Sequence, residues 1–433
     1  MSKAIKMIAT IAAILAITWF YVNPTDAGSW TKSELRILEE LSIYSLPPLP
    51  PDVSNAVAQN IDAARFGHSL FFDKRMSANR LVSCATCHSP EKQFSDGLPK
   101  GRGIGLSDRN TRTIVGSAYS PWQYWDGRKD SQWSQALSPL EDPDEHGGNR
   151  MYYARFISED PEYRRVYESL FGSLSHFNDK KRFPDAAGPI GNPAVFSAWE
   201  NMTTKDRHMV NIVFANIGKV LAAYQRLIIP GESKFDYYVE AVLQNNNDKA
   251  ETIFTKQEIR GLRLFINEAK CTDCHNGPLF TNNEFHNTGN LSFPGEMPDR
   301  GRIDGVRKVL ADPFNCLGPY SDDPTRNCPE LTFVRKGAEL IGAMRTPTLR
   351  NLEGTAPFGH KGQFQTLGQV LEQYNDSPLA MIGHNEVENP LGLSTSELES
   401  IEAFLNTLNS PLTTSPEWLN PPRLGISSIA VLQ

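Results

Sequence analysis

The pentad Cys-x-x-Cys-His occurs twice, as Cys84-Ala-Thr-Cys87-His88 and as Cys271-Thr-Asp-Cys274-His275. Two thiols about one helical turn apart can bond both vinyl groups of a single haem, and the next residue then offers its imidazole to the iron. A Cys-x-x-Cys pair alone reads equally as a zinc half-site or a redox dithiol. A histidine directly after each pair, twice in one exported chain, selects covalent c-type haem. The chain must therefore build two haem cradles, with His88 and His275 as the proximal iron ligands.

The reading of the chain as exported comes from its start. Lys3 and Lys6 precede an apolar run from Met7 to Val22, broken only by Thr10 and Thr18, and a small-residue stretch, Thr25-Asp-Ala-Gly28, follows. This predicts a signal peptide over 1–27, cleaved after Ala27, and a periplasmic protein. An uncleaved anchor is the alternative, but the run is shorter than the ~20 residues of a membrane span. No later segment is long and apolar enough to span a membrane. Cys316 and Cys328, the two cysteines outside the haem motifs, are expected to pair as a disulfide in an oxidising compartment. A net charge of -7 with no basic stripe gives no footprint for nucleic acid.

Helical signals dominate the rest, and 433 residues suffice for two packed domains. Val213, Ile217, Val220, Leu221 and Tyr224 share one face between Asn211 and Leu227. Thr255…Glu258 and Ser394…Glu397 read as capping boxes opening two further helices. Ser45 to Pro51 reads as an extended polyproline-like linker. Gly67-x-x-Leu-Phe71 precedes the first haem motif and Gly261-x-x-Leu-Phe265 the second, an internal repeat that predicts two similar units. The expected architecture is mainly α: two cytochrome c-like domains with long loops, one haem each, over 28–245 and 246–412, and a tail over 413–433. The polar run Gln244–Glu251 is the expected boundary.

A haem protein is a carrier or a catalyst according to whether one iron keeps an open face beside acid-base groups. Between His88 and Glu145 there is neither histidine nor methionine, the pattern an open first haem would give. Taken alone, Glu145, in Glu-Asp-Pro-Asp-Glu-His, reads more readily as part of a solvated acidic loop, and Trp125 as a core tryptophan.

The block Tyr124-Trp-Asp-Gly-Arg128, with Gln135, Pro139 and Glu145-His-Gly147, resembles the bacterial dihaem cytochrome c peroxidase and MauG superfamily. So does Arg345-Thr-Pro-Thr-Leu-Arg-Asn351 followed by His360-Lys-Gly362. The likeness runs from about Ala63 to Leu408. It implies that Trp125 lies between the haems as a relay. It implies that Glu145, Gln135 and Pro139 form the distal pocket of a peroxide-binding haem, with Glu145 as acid-base. It implies a calcium ion held by Asn110, Thr355 and Pro357. In dihaem peroxidases of this superfamily the second haem's far ligand is a methionine fourteen residues after the His-x-Gly histidine; in MauG-type enzymes it is a tyrosine. Counting from His360 gives Tyr374, with Met381 and His384 beyond it. Phenolate favours oxidised iron and thioether ferrous iron.

A finer resemblance, through Ala118–Trp122, Glu145–Gly148 and Phe314–Ser321, is to the MauG-like enzymes of methanobactin gene clusters, which oxidise a tryptophan on a partner protein. The function implied is a peroxidase of MauG type. Hydrogen peroxide would generate a high-valent two-haem state that oxidises a side chain of a partner protein, with tryptophan the named candidate. The alternatives are a conventional cytochrome c peroxidase, fed by a small electron-donor cytochrome, and a non-enzymatic dihaem electron carrier.

Overall fold

The two Gly-x-x-Leu-Phe repeats form the same joint twice in the computed structural model, which describes residues 30–289, 292–387 and 389–422. The helix Ile61–Phe72 crosses Thr204–Gln225, and the helix Lys256–Ile266 crosses Thr395–Asn406. At each crossing the glycine lies on the partner's backbone. A Cβ on Gly67 would stand 1.9 Å from the Val220 carbonyl oxygen, and one on Gly261 1.8 Å from that of Ser400. Only glycine lets the helices approach this closely. Leu70 and Phe71, and likewise Leu264 and Phe265, are then fully or almost fully buried beside the crossing. Each joint sets the start of the loop that leads into its Cys-x-x-Cys-His turn.

The predicted capping boxes are present at Thr255/Glu258 and Ser394/Glu397, opening Lys256–Ile266 and Thr395–Asn406. The helix placed around Asn211–Leu227 starts earlier, at Thr204, because Thr203 caps it through the Asp206 amide. The only strands among the described residues are Phe285–His286 and Met344–Arg345, paired antiparallel with Phe285 opposite Arg345. The molecule is mainly helical, as expected, and Cys316 and Cys328 form the expected disulfide.

The apolar cores do not follow the expected boundary near residue 245. One core gathers residues from Val57 to Ile228, joined by Phe314. The other takes residues from Phe235 to Leu408, and also Trp30, Leu38 and Leu41. The helix Lys234–Leu243 points Phe235, Tyr238, Val239 and Val242 into the second core. The polar run that follows it is in large part a short helix, Asn247–Ile253, rather than a linker. The first described helix, Lys32–Leu41, also docks on the second core, and the Trp30 indole donates to the Tyr238 hydroxyl at 2.9 Å. In return, Leu412, Trp418 and Leu419 pack on the first core, where the Tyr224 hydroxyl donates to the Trp418 carbonyl at 2.7 Å. Each core is thus strapped by a segment that a division at residue 245 gives to the other half. Among the described residues no helix is long and apolar enough to cross a membrane. The signal segment 1–27, with its cleavage point, and the tail from 423 lie outside the described residues.

Candidate active site

Both haem motifs close in the same way. The backbone N–H of His88 donates to the Cys84 carbonyl at 2.9 Å, and that of His275 to the Cys271 carbonyl at 2.8 Å. His88 Nδ1 lies 3.0 Å from the Phe94 carbonyl oxygen, and His275 Nδ1 2.9 Å from that of Phe280. A carbonyl only accepts, so Nδ1 carries the hydrogen and Nε2 presents its lone pair. Burial keeps both rings neutral, with the pKa of His275 held down to about 4. Cys84, Cys87, Cys271 and Cys274 are not joined in disulfides. Burial pushes the thiols of Cys84, Cys87 and Cys271 up to about 12. Raised thiols of this kind are not those of a reactive dithiol. Two thiols free of disulfides beside a neutral imidazole whose Nδ1 is held by a carbonyl fit covalent haem at each motif.

Of the three distal candidates, Glu145 is the one whose charge reaches the cysteines of the first motif. Gln135 and Pro139 lie on the helix Gln132–Glu141. The chain then turns back, and the His146 amide donates to the Pro139 carbonyl at 3.1 Å and the Gly148 amide to that of Leu140 at 2.9 Å. This fold-back brings Glu145 over the helix end. Gly103 admits it, since a Cβ there would stand 2.5 Å from the Glu145 carbonyl oxygen. The Glu145 carboxylate interacts electrostatically with Cys84, Cys87 and Tyr124. It is partly buried, and burial, reinforced by the charge of Asp142, pushes its pKa up to about 7. Glu145 therefore does not stand in a freely solvated acidic loop.

Trp125 is pinned at both ends. Its indole N–H donates to the Asn110 carbonyl at 3.1 Å, and its own carbonyl accepts from the Arg345 amide at 2.7 Å. The main chain of Arg112 reaches the His88 ring, and that of Pro347 the His275 ring. Trp125 thus lies between one segment that touches each proximal histidine. The turn after it is held by Asp126, which is fully buried and paired to Arg109 at 2.8 Å and Arg128 at 3.2 Å. Gly127, at φ +62°, leaves room for Phe285 and Arg302. The His360 ring stands edge-on to Trp125 at 6.5 Å, and its Nε2 is shut off from solvent without a partner.

Tyr374 lies on the helix Leu367–Asp376. Burial pushes its phenol up to about 12; it bonds Thr288 and interacts with Cys271 and Cys274. Met381, by contrast, is 50% exposed, and its sulfur accepts from the Ser292 amide. His384 is exposed. Of the calcium candidates, Asn110 Nδ2 lies 3.2 Å from the Pro357 carbonyl oxygen, while the Thr355 hydroxyl donates to the Leu352 carbonyl.

Three residues of this region are given no role by the sequence reading. The Arg112 guanidinium lies over the Trp125 ring at 4.5 Å. Arg345 donates to Ser120 and Asn283. His286 bonds Glu386 at 2.6 Å and is raised to about 10 by Cys274 and Glu386. For Arg112 a signal did exist: Thr-Arg-Thr at 111–113 answers Thr-Pro-Thr at 346–348.

The family model for di-haem cytochrome c peroxidase matches residues 62–243. Cytochrome-c peroxidase IdrP1 of Pseudomonas sp. (strain SCT) is 28% identical, covering 88% of this chain and 89% of that protein. The methylamine utilization protein MauG of Methylorubrum extorquens is also 28% identical, covering 79% and 77%. The crystal structure of a MauG-like protein associated with microbial copper homeostasis has the same fold, with a TM-score of 0.60 at 23% identity over 88% of this chain and 99% of that one. By the match over residues 62–243 and the likeness along most of its length to cytochrome c peroxidases and MauG, the chain belongs with the di-haem cytochrome c peroxidase and MauG proteins, which are haem-dependent oxidoreductases.

Proposed function

We propose that this is a periplasmic MauG-type enzyme that uses hydrogen peroxide to oxidise a side chain of a partner protein, with tryptophan the foremost candidate. The observation that carries the reading is Tyr374, not methionine, beside Cys271 and Cys274. Haem bound at each motif supplies an iron able to take an oxidising equivalent from peroxide.

The chain's own residues do the rest. Glu145 takes a proton from the near oxygen of peroxide and returns it to the far oxygen as the O–O bond breaks. A carboxyl with its pKa near 7 can do both at neutral pH. Gln135 and Pro139 bound the space in which peroxide is held. Trp125 passes electrons between the centres, fixed in orientation by Asn110 and Arg345. Tyr374, once its proton is displaced, gives the second centre an anionic oxygen donor that favours the oxidised state. Calcium between Asn110, Thr355 and Pro357 would join hard oxygen donors from two distant stretches of chain. The Asn110 amide donates to the Pro357 carbonyl, and the Thr355 hydroxyl donates to that of Leu352.

Tyr374→Met tests the reading. Redox titration should show the second centre easier to reduce. Oxidation of a protein side chain should fall, while turnover with a small reduced cytochrome holds or rises. A variant whose second-centre spectrum matches the parent would mean that Tyr374 is no ligand, and a conventional cytochrome c peroxidase would become the better reading.

A further inference from the structure

Two arginines beside Trp125 carry charge that the protein leaves unbalanced. Arg345 is 7% exposed; its Nη1 donates to the Ser120 hydroxyl and to the Asn283 side-chain oxygen, and its Nε has no partner. Arg112 stacks on the Trp125 ring at 4.5 Å, with Nη1 shut off from solvent and unpartnered. Among the described residues neither guanidinium forms an ion pair. The nearest charge that Arg112 feels is that of Arg345, which is repulsive. A buried Arg345 beside a partly buried Arg112 whose Nη1 is enclosed, with no anion, is costly, because enclosed charge is tolerated only when paired.

The internal repeat shows that the scaffold does not need these guanidiniums. Thr113 donates to the Gln93 carbonyl at 2.5 Å, just before the Phe94 carbonyl that holds His88. Thr348 donates to the Leu279 carbonyl at 2.6 Å, just before the Phe280 carbonyl that holds His275. The two stretches are therefore structural equivalents. Arg112 then corresponds to Pro347, and Arg345 to Asn110. Proline serves the second half where Arg112 stands in the first, so the arginine side chain answers to something other than the backbone.

The geometry points to Arg112 and Arg345 as a cationic clamp for haem propionate carboxylates at the contact beside Trp125. Haem brings two carboxylates, and the planar guanidinium fork matches a carboxylate's two oxygens. Carboxylates of bound haem supply the missing counter-charge without any acidic side chain. They also neutralise the cation that otherwise lies on the indole face and opposes removal of an electron from Trp125. The inference rests on the two-haem reading of the cysteine motifs.

The test uses the full-length holoprotein and the variants Arg112→Gln and Arg112→Lys. A pyridine haemochrome assay comes first: fewer than two haems per parent chain would sink the haem reading itself. With two haems present, Arg112→Gln should move the propionate bending band in resonance Raman spectra. It should also shift one haem's midpoint potential negative and make that potential vary with pH where the freed propionate titrates. If the Gln variant fails to hold two haems, Arg112→Lys carries the test. It keeps the charge and loses the fork, so the propionate band must move while the potential stays nearer the parent's. Two haems with an unmoved propionate band in the variant tested overturn the clamp and leave the haem reading standing.

Discussion

Glu145 shows how a single residue changes character when its surroundings are known. In sequence it is one acid among several; in the structure burial and Asp142 hold its pKa at about 7. Below that pH it is protonated and cannot accept peroxide's proton, so the stopped-flow rate of reaction with peroxide should rise as pH climbs through about 7. Glu145→Gln should remove that limb and slow the reaction by roughly 100-fold, with both haems retained. An unchanged rate would make Glu145 a bystander. The same raised pKa means that the folded state binds the extra proton between the ordinary value of 4.5 and about 7. Stability should therefore fall as pH rises through that window, and the Gln variant should lose this slope.

At the scale of elements, the two glycine crossings do the same work in both halves. A methyl group on Gly261 would lie 1.8 Å from the Ser400 carbonyl oxygen, so Lys256–Ile266 and Thr395–Asn406 must part to admit it. Overpacking of this kind costs about 1–3 kcal/mol, which exceeds the gain of under about 1 kcal/mol that alanine brings to a helix. Gly261→Ala should lower the denaturant midpoint. It should also disturb the second haem's spectrum more than the first's, because the crossing leads into Cys271. Gly67→Ala should show the reverse preference. Equal spectral effects from both variants would mean that the crossings do not position the motifs separately.

Across the whole molecule, the pair Arg350–Asp236 ties distant segments together. Both side chains are buried and 2.8 Å apart; Arg350 also donates to the Leu41 carbonyl, and Asp236 accepts from the Ile43 amide. Burial opposes ionisation of Asp236, but the hydrogen bonds and charge of Arg350 outweigh it and hold the carboxyl below its ordinary value. The group's contribution is therefore present above the usual carboxylate range and lost as pH falls through the depressed pKa. Asp236→Ala leaves a buried cation unpaired and should cost about 3–5 kcal/mol. Equilibrium unfolding at neutral pH measures this. A loss under about 1 kcal/mol would mean that solvent reaches Arg350.

Local chemistry alone determined a good deal of this protein. The haem turns, the two capping boxes and the glycine repeat are written in short stretches, because thioether spacing, helix ends and close crossings each depend on a few neighbouring residues. The Cys316–Cys328 pair followed from there being no other cysteines outside the motifs. The division into cores was not legible: the helices Lys32–Leu41 and Lys234–Leu243 show an apolar face, but hydropathy does not say which core receives it. Nor was the state of Glu145, whose pKa is set by what folds over it. The Thr-Arg-Thr repeat marks Arg112, but that it lies near Arg345, more than two hundred residues away, is set only by the fold. Covalent and helix-local constraints act within a few residues, whereas desolvation and charge pairing depend on which distant segments the fold brings together.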